Sequence, residues 1–144
     1  MVAIKEDLLK EYALCSSILV MKILAMAILT GRQRFRKKVF ANPEDANGKS
    51  QKVVLDDPDV ERVRRAHRND LENILPWFVM TLIWLTTNPS YYLAMMLMRI
   101  FVAARITHTL VYVVFPMQPH RALAFFAGYL IIIYEAVSTI IYYI

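Results

Sequence analysis

Cysteine, glycine and histidine are all scarce in this chain, and each scarcity closes off a class of function. A single cysteine, Cys15, rules out an internal disulfide and a cysteine-based zinc site. Three glycines, with no low-complexity tract and no repeat of 20–50 residues, exclude collagen-like, disordered and solenoid architectures. The three histidines, His67, His108 and His120, have no metal-ligand spacing with one another, so no metal is expected. There is no P-loop, no dinucleotide glycine pattern and no nucleophile elbow.

Apolar residues are abundant. They make up 58% of the 144 residues, against 20% charged, and the mean hydropathy is +0.40. Soluble domains run at about 45–50% apolar, and a domain this small buries only about two-thirds of its surface. The expectation is therefore an all-α integral membrane protein forming a single domain over residues 1–144. A helix needs about 20 residues to cross the hydrocarbon core. Four stretches qualify once their polar ends are included, at about residues 8–30, 61–87, 90–115 and 119–143. The first contains Lys10, Glu11 and Lys22, and the third contains Arg99, Arg105 and His108. The second is charge-free only after Asn73 and must borrow helical turns from the charged run before it. The fourth carries Glu135 as its only internal charge and alone resembles a simple lipid-facing span. Charges in the other three are costly in lipid and are expected to face other helices or a wet cavity. Short connections make these helices an antiparallel four-helix bundle.

The first stretch is read as a span and not as a cleaved signal, because Lys5-Glu6-Asp7 is not net positive and Lys22 interrupts the apolar run. Loop charges set the orientation. The loop at about residues 31–60 opens with Arg32, Arg34, Arg36, Lys37 and Lys38, and the turn before the fourth span holds His120 and Arg121. The positive-inside rule places both in the cytosol and the termini on the other side. The pI near 9.4 does not imply nucleic acid, since the bases cluster at membrane boundaries and no nucleic-acid motif accompanies them. Attraction to anionic lipid accounts for much of the run 32–38.

Two polar stripes suggest chemistry. In helical geometry Arg65, Arg68, Asn69 and Glu72 fall at i, i+3, i+4 and i+7 on one face. One reading is a helix end with a salt-bridge ladder from Arg65 or Arg68 to Glu72. The other is a site for a small zwitterionic ligand: arginines take its carboxylates, Glu72 its ammonium and Asn69 a peptide group. Arg105, His108, Thr109 and Tyr112 repeat the same spacing on the third span, and Arg121 follows in the cytosolic turn. A single membrane histidine is commonly an interhelical hydrogen bonder, but four polar residues on one stripe weaken that alternative. Cys15 lies far along the chain from both stripes and reads as a small packing residue.

At these residues the chain resembles the membrane-associated eicosanoid and glutathione metabolism family. The matching strings include Arg36-Lys37-Lys38-Val39-Phe40-Ala41-Asn42-Pro43-Glu44-Asp45, Asp59-Val60-Glu61-Arg62-Val63-Arg64-Arg65-Ala66-His67 and Asn69-Asp70-Leu71-Glu72-Asn73-Ile74. They continue with Arg99-Ile100-Phe101-Val102-Ala103-Ala104-Arg105-Ile106-Thr107-His108-Thr109 and Gln118-Pro119-His120-Arg121-Ala122-Leu123-Ala124-Phe125-Phe126-Ala127-Gly128-Tyr129. The resemblance runs from about residue 30 to 129 and is weak in the first and last helices. It implies a homotrimer in the endoplasmic reticulum or outer mitochondrial membrane. Glutathione, as co-substrate, would bind between protomers near the cytosolic face. Its contacts would be Arg34, Arg64, Arg65, His67, Arg68, Asn69, Glu72, His108 and Tyr112, with Arg121 as the catalytic residue near the sulfur. The implied activity is conjugation of glutathione to hydrophobic electrophiles, with peroxidase activity on lipid hydroperoxides.

Two alternatives stand beside it: a prostaglandin E synthase-like isomerase and a non-catalytic lipid-presenting scaffold. Arg68 fits the synthase branch better. Ala122 and Phe125 stand where that branch has a serine and a tyrosine, and Asp45 is common to both. A scaffold has no need to retain the full Arg/His/Asn/Glu set with Arg121. Ala46 stands where mammalian transferases have a cysteine, which puts thiol-dependent activation in doubt. The orientation is testable in sealed microsomes: protease added outside should cut the loop, for instance at Lys49, while the termini stay protected. Protection of the loop in an inserted protein would contradict it.

Overall fold

The computed structural model describes residues 4–48 and 51–144. Lys49, the protease site named above, lies outside those residues. Four long helices dominate: α1 (Glu6–Lys37), α2 (Pro58–Leu85), α3 (Tyr91–Thr109) and α4 (His120–Tyr143). Three of them are long and apolar enough to cross a membrane, namely α1, α3 with its continuation, and α4. α2 falls short by that measure, as its charged first half requires.

Local chemistry sets the helix ends. The Asp57 carboxylate accepts from the backbone N–H of Asp59 and Val60, both at 3.1 Å, and Pro58 opens α2. α1 stops at Lys38, whose left-handed backbone (φ 57°) turns its N–H onto the last carbonyls. The basic loop between α1 and α2 contains a feature absent from the sequence reading. Val39–Phe40 (β1) and Lys52–Val53 (β2) pair in parallel, Val39 with Lys52 and Phe40 with Val53. An ion pair between Lys37 and Asp59 joins the two ends of this loop. α3 passes into a π-helical turn, Leu110–Val114, and α4 starts one residue later than expected, with Pro119 at its N-cap.

α1 packs on α2 and α3, and α4 packs on the same two, so the helices run round the bundle in the order α1–α2–α4–α3. The 39–57 loop and the 115–119 turn lie at one end and the 86–90 connection at the other. Trp77 is fully buried at the centre, stacked on Phe101 at 4.9 Å and on Tyr12 at 5.7 Å. Outward faces carry large apolar side chains such as Leu14, Met21, Ile28, Val79, Leu130 and Ile141, as lipid contact requires.

The internal charges are paired between helices. Arg99 of α3 donates to both carboxylate oxygens of Glu11 of α1, at 2.6 and 3.1 Å. Lys22 of α1 and Arg105 of α3 both pair with Asp70 of α2, the latter at 2.7 Å, and Asp70 and Arg105 are wholly buried. Glu135 is not lipid-facing, despite the simple look of its segment. It is wholly buried and accepts from Thr81 at 2.7 Å.

The Asp70 node generates a stability prediction. Asp70→Ala strands two buried cations, and breaking a buried pair this way costs about 3–5 kcal/mol. A thermal melt in detergent should show a large drop for Asp70→Ala. Replacing Lys22, Asp70 and Arg105 together by Met, Leu and Met should restore much of it, because no uncompensated charge then remains. A triple variant less stable than the single would contradict this.

Candidate functional site

The polar residues gather at the end of the bundle that carries the 39–57 loop, where α2 and α3 bring the two stripes together. Their junction is Arg105. Its Nη2 donates to Asn69 Oδ1 at 2.8 Å and Asp70 Oδ1 at 2.7 Å, and lies 3.3 Å from His108 Nδ1. The His108 and Tyr112 rings meet edge-on at 5.4 Å. The Arg121 guanidinium sits 4.6 Å from the centre of the Tyr112 ring, a cation–π contact. Gln118, with its amide oxygen turned toward Arg121, accepts from Nη2 at 2.6 Å and Nε at 3.2 Å. A continuous line thus runs from Asn69 through Arg105, His108 and Tyr112 to Arg121.

The π-helical turn at Leu110–Val114 resets the register between His108 and Tyr112. Such turns recur at functional sites. Arg121 is the second residue of α4, so its charge stands at the positive end of that helix dipole.

Two clefts flank α2. Arg64, His67 and Arg68 line one of about 350 Å³, facing Ala27 and Thr30 of α1. Arg34 lies one helical turn beyond Thr30, half-buried, with its Nη1 enclosed and unpartnered. Asn69, Glu72, Asn73 and Pro76 line the other, of about 360 Å³, against Phe125 and Tyr129 of α4. Pro76 has no N–H to give to the Glu72 carbonyl, which leaves a backbone acceptor near the Glu72 carboxylate. A third cleft of about 390 Å³ lies between α3 and α4. It is apolar, lined by Ile100, Ala103, Ala104, Thr107, Val111 and Leu123, and reaches His120 beside Arg121.

Within one protomer the candidate residues do not share a single cavity. Arg64, Arg65, Arg68 and Glu72 are exposed on its surface. The ladder reading is present in part: Arg68 pairs with Glu72 at 3.8 Å, and Arg64 pairs with Glu61 at 2.5 Å. Arg65 joins no ion pair among the described residues. Sequence reasoning gave no role to Asp70 and no place in the site to Phe125. A charge flanked by two stripe residues was the available signal for Asp70. Phe125 entered the sequence reading only as the residue standing where the synthase branch has a tyrosine, with nothing in the pattern to place it against Asn69 and Glu72. Among the described residues no group of three or more His, Cys, Asp and Glu side chains could hold a metal ion.

The MAPEG family model matches residues 12–141 of the chain. Microsomal glutathione S-transferase 1 of Mus musculus is 44% identical over 128 residues, covering 85% of this chain and 83% of that protein. The Homo sapiens protein of the same name is 43% identical over 129 residues, covering 86% and 83%. Prostaglandin E synthase of Equus caballus is 44% identical over 119 residues, covering 81% and 77%.

Cys15 is 3% exposed and lies on α1 away from this machinery. N-ethylmaleimide should therefore modify it about tenfold or more slowly in the native protein than after denaturation, since reactive thiols must be accessible. An Ala46→Cys thiol, half-buried in an otherwise largely exposed stretch of loop, should react faster than Cys15. Rapid native labelling at Cys15 would contradict its burial.

Proposed function

The chain belongs to the MAPEG family, and from that membership we propose that it is a membrane glutathione transferase joining glutathione to hydrophobic electrophiles. The observation that carries this reading is the continuous line from Asn69 to Arg121, which connects a zwitterion-binding stripe to a fixed cation at a helix N-terminus. The names of the relatives at 43–44% identity point the same way. Arg34, Arg64, Arg65, His67 and Arg68 supply donors for the two glutathione carboxylates, and Glu72 accepts its ammonium. Asn69, His108 and Tyr112 hold the middle of the molecule. The outward opening of Arg64, Arg68 and Glu72 supports a site completed by a neighbouring protomer, and the family resemblance makes that assembly a homotrimer. By the same resemblance the protein resides in the endoplasmic reticulum or outer mitochondrial membrane.

The main catalytic task is ionisation of the thiol. An ordinary thiol, with a pKa of roughly 8.5, is only a few per cent thiolate at neutral pH. Arg121 and the α4 dipole stabilise the anion, and each pKa unit of lowering corresponds to about 1.4 kcal/mol. The apolar cleft between α3 and α4 gives a bilayer-borne electrophile an approach to the same end of the bundle. Sulfur then bonds to the electrophilic carbon while the leaving group departs with its electron pair. With a lipid hydroperoxide the thiolate takes the terminal oxygen and the lipid alcohol leaves. A second glutathione then displaces that oxygen as water and forms oxidised glutathione.

A prostaglandin E synthase-like isomerase is the second reading, favoured by the equine relative and by Arg68. Ala122 and Phe125 weigh against it, because neither offers a hydroxyl beside Arg121.

Variants separate binding from chemistry. Arg121→Ala should raise the bound thiol pKa and lower the conjugation rate by about one to two decades, with a smaller loss of glutathione affinity. Glu72→Ala and Arg65→Ala should lose mainly affinity, because those contacts are alike in ground and transition states. Thiolate absorbance against pH, run beside glutathione titration, checks all three. An unchanged thiol pKa in Arg121→Ala would reassign the sulfur to another donor, Tyr112 first.

A further inference from the structure

Arg105 is wholly buried and carries five N–H donors, yet it is no part of the ligand set proposed above. Its Nη2 faces three acceptors: Asp70 Oδ1 at 2.7 Å, Asn69 Oδ1 at 2.8 Å and His108 Nδ1 at 3.3 Å. The Asp70 carboxylate is held in turn from the far side by Lys22 of α1. The guanidinium is therefore fixed through Asp70, which α1 holds in turn, and its two Nη2 N–H groups are shared among Asp70, Asn69 and His108, so that His108 must adapt to it.

That constraint fixes the histidine proton. A guanidinium N–H only donates, so the ring nitrogen facing it accepts. With Nδ1 as acceptor, the proton of the neutral ring sits on Nε2. Among the described residues His108 Nε2 forms no hydrogen bond, and it is not among the polar atoms sealed from the surface without a partner. Its neighbour in the line, Tyr112, meets the ring edge-on and leads to Arg121.

We propose that Arg105, set in place by Asp70 and Lys22, is a positioning residue that locks His108 as the Nε2–H tautomer. His108 thereby presents one fixed N–H to an acceptor on the bound glutathione. This second half rests on the transferase reading, and the first does not. The general logic is that a second partner on one ring nitrogen dictates which proton the other offers. Asn69 is oriented by the same guanidinium, so one buried cation aims two ligand-facing side chains at once.

The test has two arms on the full-length protein in detergent. Nitrogen NMR with labelled histidine, using His108→Gln to assign the signal among the three histidines, reads the tautomer without ligand. The expected result at neutral pH is a protonated Nε2 and a bare Nδ1. A protonated Nδ1, or a tautomer mixture, overturns the lock. The second arm is glutathione titration of His108→Gln and His108→Asn, each checked by thermal melt. The glutamine amide reaches the Nε2 position, whereas the asparagine amide reaches only the Nδ1 position. Gln should keep affinity within about threefold of wild type, and Asn should lose about tenfold or more, as expected when a buried hydrogen-bond acceptor is left unsatisfied. Equal losses in two folded variants overturn the donor role. Failure of the wild type itself to bind glutathione overturns both the transferase reading and the donor role, and leaves the tautomer lock to be judged by the spectrum alone.

Discussion

Asp70 is the constraint on which the rest of the structure depends. A carboxylate inside a membrane bundle is tolerated only when it is paired. Here it pairs with Lys22 from α1 and Arg105 from α3. Three helices are fixed in rotation by that one side chain. The same Arg105 then orients Asn69 and His108. Stability and the geometry of the proposed site thus share a single set of atoms, and the helix face proposed to bind glutathione is the neighbour of the face that holds the bundle together.

The rest of the bundle follows a simpler rule. Aromatic stacking of Trp77 on Phe101 and Tyr12 fills the centre. The Glu11–Arg99 pair fastens α1 to α3, and Glu135–Thr81 fastens α4 to α2. Every charge that looked expensive in the apolar segments has a reason of this kind, with the exception of Lys10, which pairs with Glu6 on the surface.

Much of this was legible from residues alone. Apolar run lengths gave four helices, and the 3.6-residue period grouped Arg65, Arg68, Asn69 and Glu72 on one stripe. The partners of internal charges were not legible, because Glu11 and Arg99 stand 88 positions apart and nothing local links them. Asp70 was overlooked for a related reason. It adjoins Asn69 but points about 100° away from it, into the bundle, and periodicity names a stripe without saying which neighbouring face is buried. Glu135 misled in the opposite direction: with one acid in an apolar run its segment resembled a simple lipid-facing span, and that acid is an interhelical acceptor. The π-helical turn at Leu110–Val114 has no signature in so apolar a stretch, although it sets the contact of Tyr112 with both His108 and Arg121.

The central claim is that the site binds glutathione and ionises it. Calorimetric titration of the purified wild-type protein with glutathione, repeated in buffers of different ionisation enthalpy, measures both at once. Saturable binding accompanied by proton release below the ordinary thiol pKa is the predicted result. Binding without proton release would contradict the role of the cation at the α4 N-terminus, and absence of binding would contradict the account as a whole.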